Sequence, residues 1–319
     1  MTVDEFTRLV WRGVDDAPPV LTPPLGSPLI ADPTFLLPHE TPDGRWHLFA
    51  HSIFGVHGFT SDDGVRWSRP RLAVRHAMRP YLLRAEGLYH LFYERYPVFR
   101  LPLAAIPGMR WRSWIEHRSS ADLRHWSRPA VALAPSLGWH RAQGRGASVG
   151  NPTVVRGERG WRLHYSAGLV RVPDCGFDEP LHLGIAHGET IAGPYLSEPR
   201  PVLSPSRADP RANLGAGAMR VLRLADGFVG LQNGIAWDAS ARRSSSAISV
   251  RRSADGRRWE YAHPEPIVAP TTGWRARFVY ACDARRAANG RWHLYFNGRD
   301  RAPLLAGREA IGFVVADPT

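Results

Sequence analysis

"SDDGVRW" at residues 61–67 returns as "SADLRHW" at 120–126 and as "SADGRRW" at 253–259. Each copy places a Ser, an Asp two residues later, a Gly or Leu, and a closing Trp. Asp and Gly make a tight hairpin turn, and a Trp just beyond it packs between neighbouring sheets. A degenerate copy, "HGETIAGPY", closes on Tyr195, and Trp11 supplies a fifth aromatic near the start. Trp11, Trp67, Trp126, Tyr195 and Trp259 recur at intervals of roughly 60 residues, and a fixed period of this kind marks a repeat architecture.

Working outward from the hairpin, each unit holds four short apolar runs. The second reads "RWHLFAHS", "LYHLFYER", "WRLHYSAG", "FVGLQNG" or "RWHLYFNG". Runs this short, rich in β-branched and aromatic residues and bounded by Gly, Asp and Pro, are strands. The fourth run is proline-rich, as in "WSRPRLAV" and "WEYAHPEPIVAP", which assigns it to a sheet edge. The expected fold is therefore all-β. It is a five-bladed β-propeller of four-stranded antiparallel blades, built as one domain over residues 1–319. The last unit stops after its third strand, at "EAIGFVVADPT". Its missing fourth strand is expected from Trp11–Pro24, closing the ring.

Bulk composition narrows the function classes. All 41 basic residues are Arg, no Lys occurs, and the formal net charge is +12. Without lysine, Schiff-base chemistry on a side chain is excluded. The arginines are scattered and no nucleic-acid motif appears, so nucleic acid is not an expected partner. No apolar run is long enough to span a membrane, the N-terminus lacks the pattern of a secretory signal, and the two cysteines make no disulfide framework. These features point to the cytoplasm. No HExxH or Cys/His cluster signals a metal, and no glycine-rich phosphate loop opens a helix, so no cofactor is expected.

In a propeller, polar side chains at equivalent places on inner strands converge on the axis. Registering the second strands on Leu48, Leu91, Leu163, Gly230 and Leu294 and reading three residues on yields His51, Glu94, Ser166, Asn233 and Asn297, all polar. A second column follows an X-Pro step: Asp32-Pro33, Arg79-Pro80 and Asn151-Pro152. A third, on the third strands, includes His57 and Glu116. The candidate catalytic carboxylates are thus Asp32, Glu94 and Glu116. Arg79, Asn151, His51, His57, Asn233, Asn297 and Arg299 are candidate substrate-binding residues.

With "ADPTFL" near the start, "DGRWHLF"-type second strands, "SADLRHWSRP" hairpins and "AGPY" in the third unit, the chain resembles the five-bladed propeller glycosidases of glycoside hydrolase families 43, 32, 68 and 130. The resemblance covers essentially the whole chain. It implies a glycoside hydrolase-like enzyme acting on a small sugar or glycoside, with Asp32 as base or nucleophile. Two of the three usual acidic positions are unmatched: Asn151 carries an amide, and "NLGAGAMRVL" has Gly and Ala where a glutamic acid is expected. Glu94 or Glu116 would then act as the acid. Two alternatives stay open: recruitment to a cyclisation, elimination or transfer on a small biosynthetic intermediate, and a non-catalytic sugar-binding propeller.

Overall fold

A computed structural model describes residues 1–13, 17–97, 110–141 and 146–317. The repeated hairpin builds the same local structure each time. Gly64, Leu123 and Gly256 sit in the left-handed region, at φ 74°, 62° and 72°. Their N–H groups donate to Ser61, Ser120 and Ser253 Oγ at 2.9, 2.9 and 2.8 Å. One carboxylate oxygen of Asp63, Asp122 or Asp255 accepts the next two N–H groups at 2.7–2.9 Å. The side chains thus satisfy the turn's backbone donors, which strand pairing leaves free.

Four of the five closing aromatics then meet the second strand of the preceding blade, at the residue following the registered Leu. Trp126 lies 5.9 Å from Phe49, Tyr195 6.5 Å from Phe92, Trp259 6.2 Å from His164, and Trp67 5.7 Å from Tyr295, ring centroid to centroid. This contact is what makes the repeat a ring. Its order places the blade of Trp67 beside the one containing Tyr295.

The blades are four-stranded and antiparallel, and their inner strands are Ala31–Leu36, Ala77–Ala85, Val149–Arg156, Gly215–Arg223 and Phe278–Arg286. Blade four carries a small extra strand, Arg243–Ser245, beside its second. Apolar cores lie between facing blades: Leu36, Phe49, Leu82 and Leu91 between the first two, and Val154, Leu163, Ile115 and Phe92 between the next.

The N-terminal strand closes the last blade as expected, pairing Trp11 with Ala316 and Arg12 with Val315. The ladder is shorter than Trp11–Pro24; Leu21 meets Ile311 again as an isolated bridge. Blades three and four do the same, with Leu196–Ser197 followed by a bridge at Leu203, and Glu260–Tyr261 followed by one at Val268. In all three, prolines in the intervening stretch remove ladder donors, and only an edge strand tolerates that loss. Among the described residues no helix is long and apolar enough to cross a membrane.

Candidate functional site

On every inner strand the antiparallel register slips at one place: between Ala31 and Thr34, Met78 and Tyr81, Gly150 and Thr153, Gly215 and Ala218, and Val279 and Cys282. Each slip is a bulge, and in four blades it contains a left-handed residue. These are Asp32 at φ 52°, Arg79 at 53°, Asn151 at 48° and Gly217 at 67°. For the three that are not glycine this conformation costs on the order of 1–3 kcal/mol, a strain that recurs at functional sites. The prolines that follow, Pro33, Pro80 and Pro152, have no N–H to withdraw from the ladder, so the bulge is where they fit. The X-Pro column is therefore a bulge column, and it re-aims three polar side chains toward the axis. At Gly217 a Cβ would collide with the Asn233 carbonyl, so this blade contributes no side chain.

These side chains line a cavity of about 390 Å³, together with His51, Asn233 and Asn297 of the second-strand column and Arg299. The second strand seats what the first strand presents. His51 Nδ1 lies 3.1 Å from Asp32 Oδ2 and 3.4 Å from the Arg79 backbone N–H; a carboxylate only accepts, so the closer contact is a hydrogen bond when Nδ1 carries the proton. Asn297 Oδ1 accepts the Asp32 N–H at 3.2 Å, and its Nδ2 donates to Glu309 Oε2 at 3.1 Å. Ser166 Oγ donates to the Gly217 carbonyl at 2.8 Å.

Three of the sequence candidates stand elsewhere. Glu94, fully buried, lies behind the cavity wall, where it accepts from Arg79 Nη1 at 2.9 Å and from Trp111 Nε1 at 3.4 Å. Glu116 accepts from Tyr93 Oη at 2.8 Å, Arg95 Nε at 3.0 Å and Trp114 Nε1 at 3.0 Å, all within its own blade. His57 pairs with Ser52 Oγ at 2.7 Å. Neither Glu116 nor His57 lines the cavity. The reason is distance: the middle of a third strand lies two strand spacings, about 10 Å, from the inner strand. Arg299 reaches the wall, but its guanidinium is bound to Glu309 at 2.9 Å and to the Arg301, Pro303 and Leu304 carbonyls at 2.7–3.1 Å.

The cavity also holds groups the sequence reading did not select: Glu179, Glu309, Tyr280 and Trp111. Glu179 and Glu309 come from the leading ends of third strands, Asp178–Gly188 and Glu309–Ala316, where these strands extend to the cavity mouth. In blade three the second and third strands are 11 residues each, against seven or eight for second strands in blades one, two and five. That extra length, with "DEP" at the turn, was the available signal.

The electrostatics separate the carboxyl groups. Burial alone would raise Asp32, but the His51 hydrogen bond, the His51 charge and the guanidiniums of Arg79 and Arg220 hold it below its ordinary value. Burial pushes Glu179 up to about 8; Arg79, 3.9 Å away, opposes this, while Asp32 and Glu309 reinforce it. Burial also raises Glu309, against Arg299 and with Asp32. Burial near both glutamates holds Tyr280 well above its ordinary value, so it keeps its proton. At neutral pH one cavity thus presents an ionised Asp32 and a protonated Glu179. Such unlike carboxyl pairs perform general acid–base chemistry.

Below the cavity the axis is filled. Arg220 lies 3.3 Å from Asp283 and donates to the Cys282 and Pro152 carbonyls at 3.2 and 3.1 Å. Asp283 accepts from Thr34 Oγ1 at 2.8 Å, and Thr34 accepts from the Leu82 N–H at 3.0 Å. The network joins all five inner strands and forms the floor. Among the described residues no group of three or more metal-ligating side chains is assembled.

No protein-family model matches the sequence, and no curated protein matches it. Solved structures match over nearly the whole chain. An N-acetylgalactosamine deacetylase from F. plautii, solved with blood group B trisaccharide, is 14% identical with a TM-score of 0.66, covering 96% of this chain and 95% of its own. A structure reported for glycoside hydrolases within the GH130 mannoside phosphorylases, which target β-1,2 mannosidic linkages in Candida mannan, is 16% identical with a TM-score of 0.64, covering 97% and 94%. An α-L-arabinofuranosidase from Podospora anserina, in complex with cellotriose, is 14% identical with a TM-score of 0.62, covering 98% of both chains. The chain therefore has the five-bladed propeller fold found in these carbohydrate-active proteins.

Proposed function

We propose that this protein is a glycoside hydrolase-like enzyme that cleaves a small sugar or glycoside in the axial cavity. Asp32 serves as base or nucleophile and Glu179 as the acid that protonates the leaving oxygen. The observation that carries this reading is the pair of carboxyl groups in one cavity whose surroundings drive their protonation apart, with His51 orienting the ionised partner. Glycoside cleavage needs one carboxyl group of each kind. Asn151, Asn233 and Asn297 are suited to sugar hydroxyls, because an amide both donates and accepts. The acid is thus assigned to Glu179 in place of Glu94 or Glu116. The alternative, cyclisation, elimination or transfer on a small biosynthetic intermediate, would draw on Arg79 and Arg299 to hold an anionic substrate, and these already face Glu94 and Glu309.

The test is turnover of aryl glycosides (arabinofuranosides, xylosides, mannosides) by wild type and Asp32→Asn. Hydrolysis of at least one, falling by about a thousandfold in the variant, is the expected result. Absence of turnover on every sugar, or turnover that survives Asp32→Asn, contradicts the assignment.

A further inference from the structure

The cavity wall contains a cation with two carboxyl neighbours and a clear preference between them. Arg79 Nη1 contacts Glu94 Oε2 at 2.9 Å, whereas Nη2 lies 3.9 Å from Glu179 Oε2. The first contact is a hydrogen-bonded ion pair; the second is too long for a hydrogen bond. Glu94 has no solvent exposure, and its other oxygen receives Trp111 Nε1. The space it occupies is reserved by Gly150, where a Cβ would collide with the Glu94 carboxylate. Gly150 does not lie in the left-handed region, so the close approach of Glu94 is the reason for a glycine there.

We propose that Glu94 is a positioning residue: by engaging Arg79 from behind the wall, it keeps the guanidinium 3.9 Å from Glu179 without letting the two close to a hydrogen-bonded ion pair. The acid assigned above is thereby left able to hold a proton. This rests on the reading of Glu179 as that acid, but its test reads Glu179 directly. The logic is electrostatic. An opposite charge within about 4–6 Å favours the ionised form of a carboxyl group by about 1–3 pH units. Arg79 is at that distance, and Glu94 is the partner that neutralises it. The other charged or titratable groups facing Glu179 are Asp32 and Glu309, which oppose its ionisation, Arg299, which favours it, and Tyr280, which stays neutral. Among the described residues Glu94 bonds to Arg79 and Trp111 and to none of these groups.

The experiment is a pH titration of the Glu179 carboxyl carbon by NMR in glutamate-labelled protein, assigned through Glu179→Gln. In Glu94→Gln the Arg79 charge is released toward Glu179, and the midpoint is expected to fall by at least one unit, about the lower end of that range. Gly150→Ala, which displaces Glu94 sterically, is expected to lower it too and stands in should Glu94→Gln fail to fold. Glu94→Asp restores part of the shift. The decisive arm is an Arg79→Met background, in which Glu94→Gln should leave the midpoint where it was. A midpoint unmoved by Glu94→Gln and Gly150→Ala overturns the proposal. So does a shift that persists without Arg79, because Glu94 would then act directly. If no glycoside is turned over, the titration still decides this question, so the two failures are separable.

Discussion

The left-handed residues Asp32, Arg79 and Asn151 show how three positions far apart in sequence acquire a shared task. Each gives up backbone comfort to turn one polar side chain out of its sheet, and each is followed by a proline that makes the bulge permanent. The consequence for Glu179 is measurable through stability. Its folded value is raised, so between its ordinary 4.5 and about 8 the native state holds a proton that the unfolded state has released. Stability therefore falls as pH rises through that window. Glu179→Gln removes this dependence, and urea midpoints compared at pH 5 and pH 8 should drop less in the variant than in wild type. Asp32 acts in the opposite sense. Its value is lowered, so its contribution is present above its ordinary 3.8 and is lost as pH falls through the lowered folded value. Equal pH dependence in wild type and Glu179→Gln would mean that Glu179 is not held neutral.

The hairpin is the element that the sequence made most legible. Ser, Asp, Gly and Trp at fixed offsets each have one physical job, and the same bonds form in three blades. The bulge column was legible through its prolines, although as a row of X-Pro steps and not as bulges. Glu179 and Glu309 were hidden because they lie where third strands outrun the repeat, and a repeat predicts only what its copies share. Glu116 and His57 were selected as a column on the third strands, whose middle lies too far from the axis to reach the cavity. Two substitutions test the hairpin's role. Trp126→Ala removes the contact with Phe49 and should cost about 3 kcal/mol in denaturant unfolding. Gly64→Ala forces a Cβ into left-handed backbone 2.9 Å from Tyr295 Oη and should cost roughly 1–2 kcal/mol. Losses below about 0.5 kcal/mol in both would deny the hairpin a part in blade packing.

At the scale of the whole ring, closure has two fastenings. At the rim, Trp11–Arg12 pairs with the last strand, and Phe6 packs edge-on against Trp292 at 4.9 Å. On the axis, Arg220, Asp283 and Thr34 connect all five inner strands. Arg220→Met takes from the buried Asp283 its nearer cation, leaving Arg285 at 3.8 Å, and should cost about 3 kcal/mol. Deletion of residues 1–13 exposes the edge of the last blade and is expected to lower the urea midpoint and promote association through that edge. A truncated chain as stable and as monodisperse as the full one would show that the rim strand does not close the ring.

The central claim is that Asp32 and Glu179 divide base and acid between them, and leaving-group dependence tests it most directly. An acid matters most when the departing oxygen is a poor leaving group and least when it is an activated phenol. The measurement is kcat/KM of wild type and Glu179→Gln on a series of glycosides of one sugar, from nitrophenyl to alkyl. The account predicts that the variant loses little on nitrophenyl glycosides and about a hundredfold or more on alkyl glycosides, and that wild type has an alkaline limb near pH 8 which the variant lacks. Equal losses across the series, or an alkaline limb that persists in Glu179→Gln, would contradict it.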